Sequence, residues 1–267
     1  MSKENLMDVD YINSKKKVLK LLRILGIDTR FISYTPKIIY VNNVRFSKFS
    51  KKREETFKKY FPEIAIVRST LFQKICARSS KILSDELDPK DNILLLKPKN
   101  KIDELLEIVL EPYLRKYGIT ICNSNFLTVD EAISNLNKDN SKDGKMNINS
   151  IISSLTLNQE VESILSSIFS GNEIASGKEE NSKIKTIYPF INVSNEWINT
   201  FFDNLSKNNF KKDRNKLKIN NNSLLKKEEG EKKAISFMNF LDDIVPHYKE
   251  NILKSAIYIK KNNQNDF

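Results

Sequence analysis

One short stretch constrains the fold more than any other: Asp91 to Ile121 reads DNILLLKPKNKIDELLEIVLEPYLRKYGITI. The apolar run Ile93 to Leu96 precedes an amphipathic helical segment from Lys101 to Tyr117, and Gly118 then separates this helix from a second apolar run, Ile119 to Cys122. Strands that are buried on both faces are continuously apolar, and a helix that connects two of them is typical of a parallel sheet. The sequence therefore predicts an α/β fold with a parallel sheet flanked by helices.

The chain around this unit divides by composition and pattern. Residues 1–88 are predicted to form a basic N-terminal α+β region, and residues 89–205 the α/β core. Residues 206–233 are polar with alternating charge and are predicted to be disordered, whereas residues 234–267 carry the pattern of a C-terminal helical segment.

Positive charge is concentrated near the N-terminus. Residues 11–60 contain 14 Lys and Arg residues against three acidic ones, a local excess of +11 that equals the formal net charge of the whole chain. A rich use of Lys, Asn and Ile is typical of an AT-rich genome, but such a bias spreads lysine evenly. A local excess instead favours either a polyanionic partner or a solvated amphipathic surface, and the sequence leaves both open.

Aromatic residues alternate with these cations in RFSKFSKKREETFKKYF, which starts at Arg45. Cations neutralise phosphates and aromatic rings stack on unpaired bases, although such rings also commonly form the buried face of a helix. The residues predicted to bind RNA are Arg45, Phe46, Lys48, Phe49, Lys51, Lys52 and Arg53, with Phe46 or Phe49 as the stacking group.

The turn between the first predicted core strand and its helix reads Lys-Pro-Lys-Asn-Lys from Lys97 to Lys101. Lysines in such a turn bind phosphate as point charges or are simply solvated. The candidate nucleotide-binding residues are Lys97, Lys99, Lys101 and Asp103, although a carboxylate in a first helical turn is also explained by the helix dipole. Two distant cysteines and a single histidine predict no metal site.

Residues 89–200 and 234–259, taken in order, resemble the PP-loop tRNA-modifying enzymes, in particular the tRNA 2-thiocytidine and tRNA lysidine synthetases. The segment LTLNQEVESILSSIFSGN is similar to the family helix GHNxDDxAETxLxNLxxG, in which Glu162, Leu165 and Gly171 match in register. IYPFINVSNEWINTFF is similar to the following strand and helix, where Pro189-Phe190 and Ile198 fit. The resemblance implies an adenine-nucleotide α-hydrolase-like fold, ATP with Mg²⁺ as cofactor, and adenylation of a tRNA base.

The residues that carry the family's chemistry are replaced. KPKNKID, from Lys97 to Asp103, stands where the family has SGGxDS, and Pro98 lacks an N–H while no glycine lets the backbone wrap a phosphate. Leu155 stands in the position of His, and Asn158-Gln159 in that of the Asp pair, which holds Mg²⁺ better than amides do. The paired cysteines of the thiolating members are also missing.

These observations predict an RNA-associated protein related to tRNA modification, with a degenerate nucleotide site and no certain cofactor. Its core would act as a scaffold, as the partner of an active enzyme, or as a much-altered ATP-dependent tRNA-modifying enzyme. The alternative is a non-enzymatic nucleic-acid-binding or assembly factor of an unrelated α/β fold. Without an apolar run of membrane-spanning length or an apolar N-terminal segment, the expected location is the cytoplasm, with RNA and a candidate protein partner and no membrane.

Overall fold

The computed structural model describes residues 3–96, 98–123, 131, 148–174, 184–207 and 229–265. Among them the helices are α1 (Lys3–Ile24), α2 (Val44–Ser47), α3 (Lys51–Lys58), α4 (Thr70–Glu86), α5 (Lys101–Lys116), α6 (Leu157–Phe169), α7 (Asn195–Lys207), α8 (Glu229–Ile244) and α9 (Tyr248–Asn265). The strands are β1 (Ile32–Thr35), β2 (Ile38–Val41), β3 (Ala65–Val67), β4 (Asn92–Leu95), β5 (Thr120–Asn123), β6 (Ser150–Ile152) and β7 (Lys185–Ile187). Most of the predicted insertion, residues 208–228, lies outside the described part.

The larger sheet has the order β5-β4-β6-β7, and all of its strand pairs are parallel. The chain leaves β4 in one direction to form β5 and returns across β4 to form β6 on the other side. In open α/β sheets, ligands bind outside the carboxyl ends of the strands at such a switch point. The predicted α/β class is therefore confirmed, and the turn after β4 lies at the edge where a ligand would be expected.

The smaller sheet, β1-β2-β3, pairs β1 with β2 antiparallel and β2 with β3 parallel. One face of β2 buries Ile39 and Val41 in a cluster with residues of α1 and α3. The other face carries Ile38 and Tyr40, which alternate with them as the two-residue period of a strand requires. Each face therefore belongs to a different core.

The main core contains residues from both sheets and from the helices α4, α5 and α7. Three aromatic rings join its parts: the Phe72 ring centroid lies 5.5 Å from that of Tyr40 and 5.2 Å from that of Phe201. A separate cluster packs α6 against α8 and α9. The division at residue 88 stays a prediction, but the hydrophobic core is continuous across that position.

A buried carboxylate connects the smaller sheet to α5. Glu111, which is 8% exposed, accepts the Tyr34 backbone N–H at 3.0 Å and the Lys15 ammonium at 2.9 Å, and it also pairs with the Arg115 guanidinium. Arg115 in turn donates to the backbone carbonyls of Thr29 at 2.8 Å and Ile32 at 2.7 Å. Because a buried charge is tolerated only when it is paired and hydrogen-bonded, these contacts specify how the basic region joins the core.

Replacing Glu111 with Gln is expected to destabilise the protein by about 3 kcal/mol, since Lys15 and Arg115 would lose the carboxylate that they share at a buried position. Urea unfolding followed by circular dichroism measures the change. Arg30→Gln is the control, because Arg30 pairs with Asp28 at the exposed surface and its loss should leave the unfolding midpoint unchanged. A Glu111→Gln variant as stable as the wild type would contradict the assigned role.

Candidate functional site

The turn after β4 is closed by hydrogen bonds from its own side chains. Asn100 Oδ1 accepts the backbone N–H groups of Ile102 at 2.7 Å and Asp103 at 3.1 Å. Asp103 Oδ2 accepts those of Lys99 at 2.8 Å and Asn100 at 3.2 Å, while the Ser154 hydroxyl donates to Asp103 Oδ1. Amides at a helix N-terminus are the groups that bind phosphate in nucleotide sites. Here the Asn100 side chain takes the N–H groups of the first helical turn, and the Asp103 carboxylate takes those of the two residues before the helix.

The lysines predicted to bind a nucleotide do not form a single cluster around this turn. Lys97 lies outside the described residues, and Lys99 is exposed. The ammonium of Lys101 is directed towards α7, where it lies 3.9 Å from Asp203 Oδ1 and 6.0 Å from the Phe202 ring centroid. The role of Asp103 that the structure displays is helix capping; whether any of these four residues contacts a nucleotide stays a prediction.

The N-terminus of α6 is capped in a similar manner. The Gln159 side chain accepts the backbone N–H of Thr156 at 3.0 Å, as in a capping box. Asn158 Oδ1 accepts the Asn195 backbone N–H at 2.9 Å, and its Nδ2 donates to Glu196 Oε1 at 3.0 Å. Of these two amides, Asn158 connects α6 to α7, whereas Gln159 acts within the N-terminus of α6.

The Glu196 carboxylate, which Asn158 contacts, also forms an ion pair with α9. Lys249 Nζ lies 3.0 Å from Glu196 Oε1 and 2.8 Å from Asp242 Oδ1. Desolvation by itself would raise the pKa of Glu196, but hydrogen bonds from Ser194, Lys249 and Asn158 outweigh it and lower the pKa to about 2. The carboxylate therefore stays ionised and paired, which is the condition of a structural ion pair rather than of a general acid at neutral pH.

The predicted RNA-binding residues lie on α2, on α3 and in the turn between them. Arg45, Lys48, Lys51 and Lys52 are exposed, and so is Phe46, with 53% of its surface accessible. The Phe31 ring lies beside that of Phe46, with the centroids 5.3 Å apart and the planes tilted by 33°, and the Arg45 guanidinium lies over the Phe46 ring, 5.9 Å from its centroid. This part of the predicted site is a supported aromatic ring among exposed cations.

Phe49 does not fit the predicted stacking role, and that alternative is corrected. Its ring is 0% exposed and lies in the N-terminal core, edge-to-face with Phe57 and 4.9 Å from the Arg68 guanidinium. The physical reason is the left-handed turn at Lys48 (φ 56°), which directs the next side chain inward. Arg53 is half-buried, and its guanidinium donates to the Lys48 carbonyl, so it also supports this turn.

Other exposed residues of the N-terminal region, on α1 and at the end of α3, were not among the predicted RNA contacts. Tyr60 is 66% exposed and follows the exposed Lys58 and Lys59 at the end of α3. The outer face of α1 adds the exposed cations Lys16, Lys17, Lys20 and Arg23. The helical spacing of Val18, Leu19 and Leu22, which are buried, is the signal that places these cations on the outer face.

No group of three or more His, Cys, Asp or Glu residues that could hold a metal ion occurs among the described residues. Within the same part of the chain, no helix combines the length and the apolar character required to cross a membrane.

No family model matches the sequence, and no curated protein matches it at a significant level. One solved structure that is similar is the U34-tRNA thiolase NcsA from Methanococcus maripaludis. The similarity covers 75% of this chain and 83% of that chain, with a TM-score of 0.49 and 10% sequence identity. At this level the likeness describes shape and carries no conclusion about activity.

Acidification is expected to weaken the contacts of Glu196. Because its pKa in the folded protein lies below the ordinary value of 4.5, the stabilisation is complete above that value and is lost as the pH falls towards 2. Urea unfolding at a series of pH values should show a smaller loss of stability over this window for Glu196→Gln than for the wild type. Identical pH profiles would contradict the pairing of Glu196 with Lys249.

Proposed function

We propose that this protein binds RNA, with tRNA as the substrate class, through the basic face of α1, α2 and α3, and that its parallel sheet is a scaffold that does not bind ATP. The observation that carries the proposal is the position of the Asp103 carboxylate, which accepts the backbone N–H groups of Lys99 and Asn100 at the switch point of the sheet. The exposed cations and the exposed aromatic ring of the N-terminal surface support the binding of a polyanion.

The closed turn disfavours a nucleotide for two physical reasons. A triphosphate placed there would meet the Asp103 carboxylate, which holds the backbone N–H groups of Lys99 and Asn100, and displacing this carboxylate would break one half of the capping box of α5. Pro98 has no N–H to contribute in its place. Asn158, in turn, uses both its oxygen and its nitrogen to join α6 and α7, so it is not oriented as a Mg²⁺ ligand.

The N-terminal surface supports RNA binding through both of its components. Exposed lysines and arginines on short neighbouring helices supply charge for phosphates, whose neutralisation releases counterions. Phe46 presents a ring that contacts Phe31 and is 53% exposed, and this accessible aromatic surface can stack on an unpaired base. An aromatic ring with adjacent cations is the arrangement found at single-stranded or looped RNA.

The choice of tRNA rests on the sequence resemblance of residues 89–200 and 234–259 to PP-loop tRNA-modifying enzymes. In that setting, a core with a closed nucleotide site acts as a scaffold or as the partner of an active enzyme. The alternative remains a nucleic-acid-binding or assembly factor outside that family.

Calorimetry with ATP and Mg²⁺ tests the closed nucleotide site. The wild-type protein is expected to show no binding at millimolar nucleotide. Asp103→Ala should lose about 1 kcal/mol of stability through the missing cap, while Asp203→Ala, which leaves the cap intact, serves as its control. Wild-type binding of ATP that disappears in Asp103→Ala would overturn the scaffold proposal and favour an ATP-dependent enzyme.

RNA binding is tested by titrating labelled tRNA at several salt concentrations. The variant with Lys48, Lys51 and Lys52 replaced by Glu is expected to bind more weakly and to lose about 1 from the slope of log K against log salt for each phosphate contact removed. The matched control replaces Lys81, Lys207 and Lys254 by Glu, which are exposed elsewhere and change the net charge equally.

The aromatic component has a different signature in the same assay. Phe46→Ala should reduce affinity for single-stranded or looped RNA by about tenfold while leaving the salt slope unchanged, because stacking releases no counterions. An affinity that is indifferent to salt, or equal losses in the two lysine variants, would contradict the proposed surface.

A further inference from the structure

Helix α8 has a second apolar face besides the one that it buries. Ala234 and Met238 pack into the cluster with α6 and α9. Phe237, Phe240 and Ile244 instead remain 38%, 59% and 57% exposed. Single exposed apolar residues are ordinary on protein surfaces, whereas a contiguous group of them marks an interaction site.

The exposed residues of α8 are contiguous with the end of α6. The Phe169 ring meets that of Phe237 edge-to-face with centroids 5.7 Å apart, and Phe237 stacks on Phe240 at 6.5 Å. Ile168, which is 50% exposed, extends the same end of α6. We call the surface formed by Ile168, Phe169, Phe237, Phe240 and Ile244 the aromatic seam.

The spacing of the seam along α8 is that of a helix-pairing face. Phe237, Phe240 and Ile244 follow one another at intervals of three and four residues, the alternation that keeps apolar side chains along the contact line of two packed helices. A second helix laid along this line would bury all three side chains. The spacing thus indicates the shape of the occupant: a helix with its own apolar stripe.

The charged residues beside the seam indicate which helix would pack on it. Lys232 and Asp243, both exposed, are 11 residues apart, or about three helical turns, and so lie on the same flank near opposite ends of the seam. When two identical helices pack antiparallel along one face, the side chains on a given flank of one helix face those on the same flank of the other. Two copies of α8 would therefore bring Lys232 of each chain to Asp243 of the other.

We propose that a second copy of this chain packs on the aromatic seam, with the two α8 helices antiparallel about a twofold axis. The arrangement places Phe237 and Phe240 of both copies at the centre and complementary charges at both ends, as a self-complementary twofold interface requires. A parallel pair is disfavoured because the other flank of α8 carries Ala234 and Leu241, which pack against α6 and α9. The proposal does not depend on RNA binding.

Sedimentation velocity of the full chain over a range of concentrations tests the dimer. The wild type is expected to reach twice the 31.0 kDa mass of one chain. Phe240→Glu should weaken self-association by about thirtyfold or more, because it places a charge at the centre of the interface. Tyr258→Glu, a change at an equally exposed aromatic residue of α9 outside the seam, should leave it unchanged.

A charge exchange tests the antiparallel register. Asp243→Lys alone should weaken the dimer by about tenfold, and Lys232→Asp in the same chain should restore it, since the opposed charges are then merely reversed. Circular dichroism establishes that each variant is folded. A wild-type mass of one chain at all concentrations, which would leave the seam to another protein or to another segment of this chain, overturns the proposal; so does an exchange without rescue.

Discussion

The buried carboxylate of Glu111 is the contact on which the relation between the two halves of the molecule depends. It accepts the backbone N–H of Tyr34 in the edge strand of the smaller sheet, and the Arg115 guanidinium beside it donates to the carbonyls of Thr29 and Ile32. Backbone groups left without partners at a buried sheet edge cost about 1–3 kcal/mol each, so this pair satisfies polar groups that the apolar core cannot. The consequence reaches the surface, because the strands that support α2 and α3, and with them the exposed cations, are held in one orientation to the parallel sheet.

At the carboxyl edge of the parallel sheet, polar side chains of the protein cap the N-termini of the helices. In a nucleotide-binding protein, the helix N-termini at this edge remain open to phosphate. Here Asn100 and Asp103 cap α5, Thr156 and Gln159 cap α6, and Asn158 with Ser194 caps α7. At this edge the N-termini of three helices are thus capped by side chains of the protein itself.

Several elements were predictable because their signals are local. The apolar run before Lys97, the helical period of α5 and the Gly118 stop suffice to predict β4, α5 and β5, and the structure has them within one or two residues. β6 and β3 were not predicted, because each is only three residues long and neither lies in a segment whose pattern or family resemblance marks a strand, as the equally short β7 does. Yet β6 creates the switch point, since its pairing with β4 is what brings Ser154 to Asp103. Local pattern therefore predicted the parts of the site but not the contact that closes it.

Local sequence pattern also could not distinguish an exposed aromatic ring from a buried one. Phe46 and Phe49 are three residues apart in a run of alternating cations and rings, and nothing in their spacing distinguishes a surface ring from a buried one. The left-handed turn at Lys48 and the packing of α3 against the N-terminal core decide that Phe49 is buried and Phe46 is exposed. By itself, the sequence determined the α/β class, the concentration of positive charge and the absence of a glycine cradle, because these follow from composition and from the spacing of apolar residues over short segments. Only the tertiary structure decided which ring faces solvent and that Asp103 occupies the amides of its own turn, because both depend on contacts between segments distant along the chain.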